Sequence, residues 1–323
     1  MSDIATLVYF DLEATGLKSS GKPRICEISL LAVNTQDVLD LNKKMMEILK
    51  TGRSEVASLH SEDLLPRIVN KLTLCVYPMA TIVPLVSDLT GLDNYNLTGQ
   101  SKFSRNTGYL INSFLSCLPF PVCLVAHNGN AYDFALLKSE MENVGTHLNP
   151  EILCADSYIG IKEIFANRGE EHSKNNVEAA KIVNTVKMEM DAATDLLKAG
   201  VFETEMAEGQ CDGPIATSNM NKISKEENEL TPNRTRNTVI PRKPKKSLEK
   251  FQRKLNFANP SKPTSYSLIN LHHHLLGYVP RQSHGAEADC LALLRTTAVL
   301  GGDWIDWIRG NCYLFENCKK MWG

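Results

Sequence analysis

Four carboxylates and one imidazole are the groups in this chain whose setting points to chemistry. In "YFDLEAT" an apolar run of Leu7, Val8, Tyr9 and Phe10 ends in Asp11 and Glu13, two residues apart. Alternate residues of a strand point to one side, so the two carboxylates face the same way. At ~4 Å and an effective dielectric near 20 their repulsion costs on the order of 4 kcal/mol, which something must offset. "VCLVAHNGNAYDF" leaves a short apolar strand, crosses a Gly-containing loop and sets Asp133 in the first turn of a helix. "QSHGAEADCLALL" sets Asp289 early in another helix, on the face of Ala292, Leu293 and Thr296. Taken singly, an acid in a first helical turn is more often a capping or dipole residue than a ligand. An edge strand would likewise leave Asp11 and Glu13 in water.

Convergence changes that reading. Four acids in one pocket hold roughly four negative charges, unsustainable without cations or large upward pKa shifts. Hard oxygen ligands select Mg²⁺, with Mn²⁺ as a substitute. Two such ions about 4 Å apart serve in-line displacement at phosphorus, one activating water and the other stabilising the leaving oxygen. A base must then take the water's proton. His284 lies five residues before Asp289, off the helix proper, and imidazole exchanges protons near neutrality.

The elements that must position these groups alternate between strand and helix over the first 166 residues. "TLVYFDLEAT" and "ICEISLLAVNT" read as strands joined by the turn-forming "KSSGKPR". "KLTLCVYP", "VCLVAHN" and "EILCADS" read as three more. "AYDFALLKSEMENVG" has helical spacing (Phe134, Leu137, Met141, Val144) closing on Gly145. "SYSLINLHHHLLG" and "AEADCLALLRTTAVLG" are further helices that end on glycine. This alternation predicts an α/β fold around a mixed or parallel sheet.

Between them the pattern breaks. Residues 167–262 contain only Phe202, Phe251 and Phe257 as aromatics, too few for a core. Ala179, Val183, Val186, Met190, Ala193 and Leu197 predict one amphipathic helix over about 176–199. The rest reads as disordered and divided by charge: residues 170–230 hold 13 acids and 6 bases, whereas 231–262 hold 10 bases and 1 acid. The basic block could attract phosphates or act as an import signal, or be a solvated linker. The organisation expected is one discontinuous domain, 1–166 with 263–323, interrupted by an insertion at 167–262.

The net charge of −2 gives no ground for whole-molecule attraction to nucleic acid or membrane. No run of about 18 apolar residues and no leader-like N-terminus appears, so a soluble protein of cytoplasm or nucleus is expected. Nine cysteines, an odd number without tight pairs, read as reduced thiols. His272, His273 and His274 have no Cys-x2-Cys pair beside them, which favours a packed helix over a zinc site.

"FDLEATG", "AHNGNAYDF" and "HGAEAD" resemble the three exonuclease motifs of the DEDD superfamily of 3′→5′ exonucleases, in its histidine branch. "EISLLAVN", "DLTGLDN", "SYSLINLHHHLLG" and the closing "MWG" resemble the three-prime repair exonuclease family. These stretches span most of residues 4–166 and 264–323, while the insertion has no counterpart.

The resemblance implies a ribonuclease H-like fold, a five-stranded mixed sheet flanked by helices with the site at the strand ends. It implies that Asp11, Glu13 and Asp289 hold the more deeply bound of two Mg²⁺ ions, with Asp11 bridging to the second. Asp133 would complete the cluster, in part through water, and His284 would be the general base. Leu17 would wedge against the terminal bases beside the Glu13–Ala14 backbone, His127 and Tyr132 would lie near the 3′ nucleotide, and Lys162 near the substrate backbone. The activity implied is removal of nucleoside 5′-monophosphates from DNA 3′ ends, single-stranded or frayed, by a homodimer. Asn130 and Ala131 stand where relatives often carry an acid and an arginine, which bears on the choice between single strands and duplex ends. Only Pro66 remains of a proline-rich stretch, so no polyproline-mediated partner is expected, and no membrane anchor follows "MWG". The alternatives are an exoribonuclease of the same superfamily, and a non-catalytic nucleic-acid-binding scaffold that works through the basic segment at 234–254.

Overall fold

A nine-residue strand, buried from its first residue to Phe10, runs through the middle of the molecule and carries the first two acids at its end. In the computed structural model, which describes residues 3–51, 64–169, 263–280 and 284–322, this is β1 (Thr6–Ala14). There follow β2 (Ile25–Asn34), α1 (Thr35–Thr51), β3 (Asn70–Cys75), α2 (Pro84–Thr90), α3 (Arg105–Ser116), β4 (Val122–Ala126), α4 (Asp133–Asn143), β5 (Leu153–Asp156) and α5 over 157–169. Beyond the undescribed stretch come α6 (Leu268–Leu276), α7 (Ala286–Leu300), α8 (Gly302–Asn311) and β6 (Tyr313–Leu314). The insertion and its expected helix at about 176–199 lie outside the described residues.

The sheet is mixed, in the order β3-β2-β1-β4-β5-β6. β1 pairs antiparallel with β2 and parallel with β4, so it is central rather than an edge. Five strands correspond to the five read from the sequence. The sixth, β6, has two residues and pairs antiparallel with β5 at the far edge. So short a segment carries no strand periodicity, and only the docking of the C-terminal stretch against β5 creates it.

Strand alternation divides β1 between two cores. Leu7 and Tyr9 face the layer of α1, α5, α6, α7 and α8, where Val38, Ile161, Leu271, Leu293 and Trp304 close over them. Val8, Phe10 and Leu12 face α3 and α4, against Ile111, Phe134 and Leu137. Each of these side chains contributes about 1.5–3 kcal/mol by leaving water. Tyr9 and Thr297 hydroxyls bond at 2.8 Å and tie β1 to the last turn of α7. Because Asp11 and Glu13 continue the Leu7–Tyr9 register, burial of that face directs both acids toward α7. The eight described cysteines are free thiols.

The loop between β1 and β2 is held by a buried ion pair. Arg24 Nε donates to Glu140 Oε1 at 2.6 Å and Nη2 to Oε2 at 3.0 Å, and the Glu140 side chain is 1% exposed. Trp322 covers the same arginine, its ring centroid 5.9 Å from the guanidinium, and its Nε1 donates to the Pro23 carbonyl at 3.2 Å. Arg24→Ala leaves a buried carboxylate without its partner. Urea denaturation should show a loss of about 3 kcal/mol, and Arg24→Lys should restore only part of it because the two-pronged contact is gone.

Candidate active site at the carboxyl ends of the central strands

Three elements deliver the acids to one place. β1 presents Asp11 and Glu13 opposite Ser29 and Glu27 of β2. α4 starts at Asp133 after the loop that leaves β4. α7 brings Asp289 in its first turn. A carboxylate oxygen from each of Asp11, Glu13 and Asp289 lies within 4.8 Å of the other two. Asp133 stands outside that trio, 5% exposed, yet its charge is the foremost neighbouring influence on Asp11.

The loop holding Asp133 is shaped by hydrogen bonds to Asp156, whose charge, after burial, also raises the pKa of the Asp133 carboxyl. Asn128 has a φ of 65°, a left-handed conformation that asparagine tolerates better than most side-chain-bearing residues. Asp156, at the end of β5, accepts the Asn128 amide at 2.9 Å on one oxygen and the Asn130 amide at 3.1 Å on the other. Gly129 has no room for a side chain, since a Cβ there would sit 2.7 Å from Ala126 and 2.8 Å from the Phe134 ring. Tyr132 follows, and its hydroxyl donates to the Gly16 carbonyl, joining this loop to the one after β1.

The cluster's electrostatics are those of anions packed together out of water. Burial, then the charges of Asp133, Asp289, Glu13 and Glu27, holds the Asp11 carboxyl well above the usual range. Glu13 is pushed up to about 8, by burial first and then by Asp289, Glu27 and Asp133. Burial takes Asp133 to about 7 against the opposing backbone amides of Asp133 and Leu12. Asp289 is raised by burial, partly offset by His284. Among the described residues, the ion pairs that lysines and arginines form go to other acids, such as Glu140, Glu287, Asp303 and Glu142, and to none of these four. An all-oxygen set with raised pKa values and no described lysine or arginine partner is the donor chemistry of a hard divalent ion.

His284 also adopts a left-handed conformation, with a φ of 72°, and its amide donates to Asp289 Oδ2 at 3.3 Å. Its side chain lines a groove of about 150 Å³ together with Leu12, Glu13, Ala14, Gly16 and Leu17 from β1 and its loop, and Tyr132. Val86, Leu89 and Thr90 of α2 complete its lining. Leu17 is 65% exposed at the rim. The structure thus gathers Glu13, Ala14, Leu17, Tyr132 and His284 around one groove beside the acid cluster.

His127 and Lys162 are not in that groove. Both ring nitrogens of His127 are engaged, Nδ1 with the Ser157 hydroxyl at 2.9 Å and Nε2 with the Tyr266 carbonyl at 2.8 Å, and burial pulls its pKa down. Lys162 is exposed on α5 with its ammonium 6.0 Å from the Tyr158 ring centroid. Sequence reading missed Glu27, Asp156 and the α2 wall. Asp156 and Glu27 gave no signal because their roles depend on partners distant in the chain. In α2 a signal existed: Val86 and Leu89 are one turn apart in a helix with no buried residue.

No protein-family model matches the chain. It is 38% identical over 154 residues to three prime repair exonuclease 2 of Mus musculus, covering 47% of this chain and 59% of that protein. It is 37% identical over 164 residues to three-prime repair exonuclease 1 of Bos taurus, covering 50% of this chain and 48% of the other. The chain thus spans about half the length of the curated relatives it matches. Among solved structures, an exonuclease I aligns with a TM-score of 0.51 over 95% of this chain and 43% of its own, at 10% identity, a likeness of fold. The similarity read from the motifs is to proteins that carry the name three-prime repair exonuclease.

The raised carboxyls set a pH dependence. An unfolded chain releases these protons near pH 4, whereas the folded chain keeps them to about 7 at Asp133 and about 8 at Glu13. Without metal, their contribution to stability falls as pH rises from about 4 to about 8, since the folded state binds more protons throughout that window. In chelator, Asp133→Asn should therefore melt at a higher temperature than the unsubstituted chain at pH 8, the gap closing near pH 4. Equal melting temperatures at pH 8 would show that Asp133 bears no such cost.

Proposed function

We propose that the chain is a Mg²⁺-dependent 3′→5′ DNA exonuclease that releases nucleoside 5′-monophosphates from single-stranded or frayed 3′ ends. One observation carries this reading: carboxylates from β1 and α7, 276 or more residues apart in sequence, stand within 4.8 Å of one another, and no described lysine or arginine forms an ion pair with them. Asp11, Glu13 and Asp289 would hold the metal, with Asp133 completing the set. Bound divalent ions supply charge neutralisation at a phosphodiester and a nucleophile generated near neutral pH.

The chain's own groups do the rest. His284 takes a proton from the attacking water, from a backbone position tied to Asp289. Leu17 presses on the terminal base and Ala14 backs it, while Tyr132 fixes the Leu17 loop through Gly16. Val86 and Leu89 give that base a further apolar surface in the groove that Leu17 lines. Lys162 sits outside the groove, where an exposed ammonium suits the backbone of a longer strand. His127 acts through Tyr266 and Ser157 rather than by direct hydrogen bonding to a nucleotide. Residues 167–262 are read as an insertion into this one domain, used for affinity or targeting. A homodimer accords with β3 lying at the edge of the sheet, where unpaired backbone groups can accept a second copy.

The test is digestion of matched DNA and RNA oligonucleotides of one sequence, with Mg²⁺ and with chelator, on paired and frayed termini. DNA should be shortened from its 3′ end only with the metal, and RNA more slowly. Asp289→Asn should lose nearly all turnover while its melting curve in chelator stays cooperative. An Asp289→Asn chain that still responds to Mg²⁺ would overturn the assignment of the site.

A further inference from the structure

α7 begins without a cap of its own. The residue before it is Gly285, which has no side chain to accept the first helical amides. The acceptor comes from across the sheet: the Ala286 amide donates to Glu27 Oε2 at 2.9 Å. Glu27 is the β2 partner of Glu13, and its charge reaches both Glu13 and Asp11. Ala286 stands between His284 and Asp289, whose amide bonds back to the Gly285 carbonyl at 3.0 Å. A second tie, in which Glu287 accepts from Lys71 at 2.8 Å and from Thr73 at 3.1 Å, is half-exposed, and its ion pair is partly screened by water. Glu27 is the inner tie and the one in line with the acids.

We propose that Glu27 is a positioning residue: its carboxylate caps α7 from the neighbouring strand and so sets where His284 and Asp289 stand relative to Asp11 and Glu13. The effect on turnover rests on the nuclease reading above, whereas the capping does not. A cap oxygen is what matters, so an amide in the same place serves and a methyl does not.

Glu27→Ala and Glu27→Gln separate the cap from the charge. On a single-stranded DNA oligonucleotide with Mg²⁺, Glu27→Ala should lower kcat about 10–100-fold, with KM changed by no more than about twofold. Glu27→Gln should recover kcat to within about threefold of the unsubstituted chain. In chelator, amide hydrogen exchange over residues 286–290 should be faster in Glu27→Ala and unchanged in Glu27→Gln. Full activity in Glu27→Ala, or Glu27→Gln as slow as Glu27→Ala with unchanged exchange, overturns the proposal. A chain that cleaves no oligonucleotide overturns the nuclease reading instead. Exchange then decides alone, and equal protection of residues 286–290 in Glu27→Ala and the unsubstituted chain refutes the cap.

Discussion

Like charges forced together out of water are the constraint on which the rest of this structure depends. Asp11, Glu13 and Asp289 approach within 4.8 Å, with Asp133 beside them. Unaided, each would prefer its proton, and two of the four keep theirs to about 7 and 8. The apolar burial of β1 on both faces holds the cluster in place against that repulsion. Stability gained along Leu7–Phe10 is spent at Asp11 and Glu13, which is how functional sites are commonly maintained.

That constraint explains the supporting parts. Gly129 lets the loop after β4 turn tightly, and Asp156 gathers the amides of Asn128 and Asn130 so that α4 starts with Asp133 facing the cluster. Two left-handed residues, Asn128 and His284, occur in the two loops that feed acids into the site. On the outer side, Tyr132 and the Arg24–Glu140 pair stiffen the loop that exposes Leu17. Each support acts on backbone direction and leaves the acids free to meet a cation.

Legibility in the sequence followed how local each signal was. β1, β2, β4 and α7 were readable because their apolar periodicity is strong and their ends are marked by Gly or by turn residues. The acids were readable because charges at the ends of such buried runs are out of place. α1 was overlooked although Val38, Leu41 and Met45 repeat at helical spacing, because it follows β2 with no loop between them. There Thr35 Oγ1 bonds the Ile4 carbonyl at 2.7 Å and the Asn34 side chain accepts the Gln36 amide at 2.8 Å, an internal cap in place of a turn. β6 and the roles of Glu27 and Asp156 were illegible for the opposite reason. They exist only through contacts with distant residues, to which no local pattern refers. His127, which the resemblance set near the 3′ nucleotide, has both ring nitrogens bonded within the protein, a fact no local pattern could carry.

The order of the chain along the sheet has a consequence for synthesis. By residue 156 a nascent polypeptide has made the five long strands, yet the face of Leu7, Tyr9, Leu31 and Val33 is covered largely by α6, α7 and α8, all encoded later. Until residues 284–300 leave the ribosome, that greasy face waits for its lid and the fourth acid is missing. The emerging protein is therefore aggregation-prone, and its acid cluster stays incomplete until the last part of its core closes.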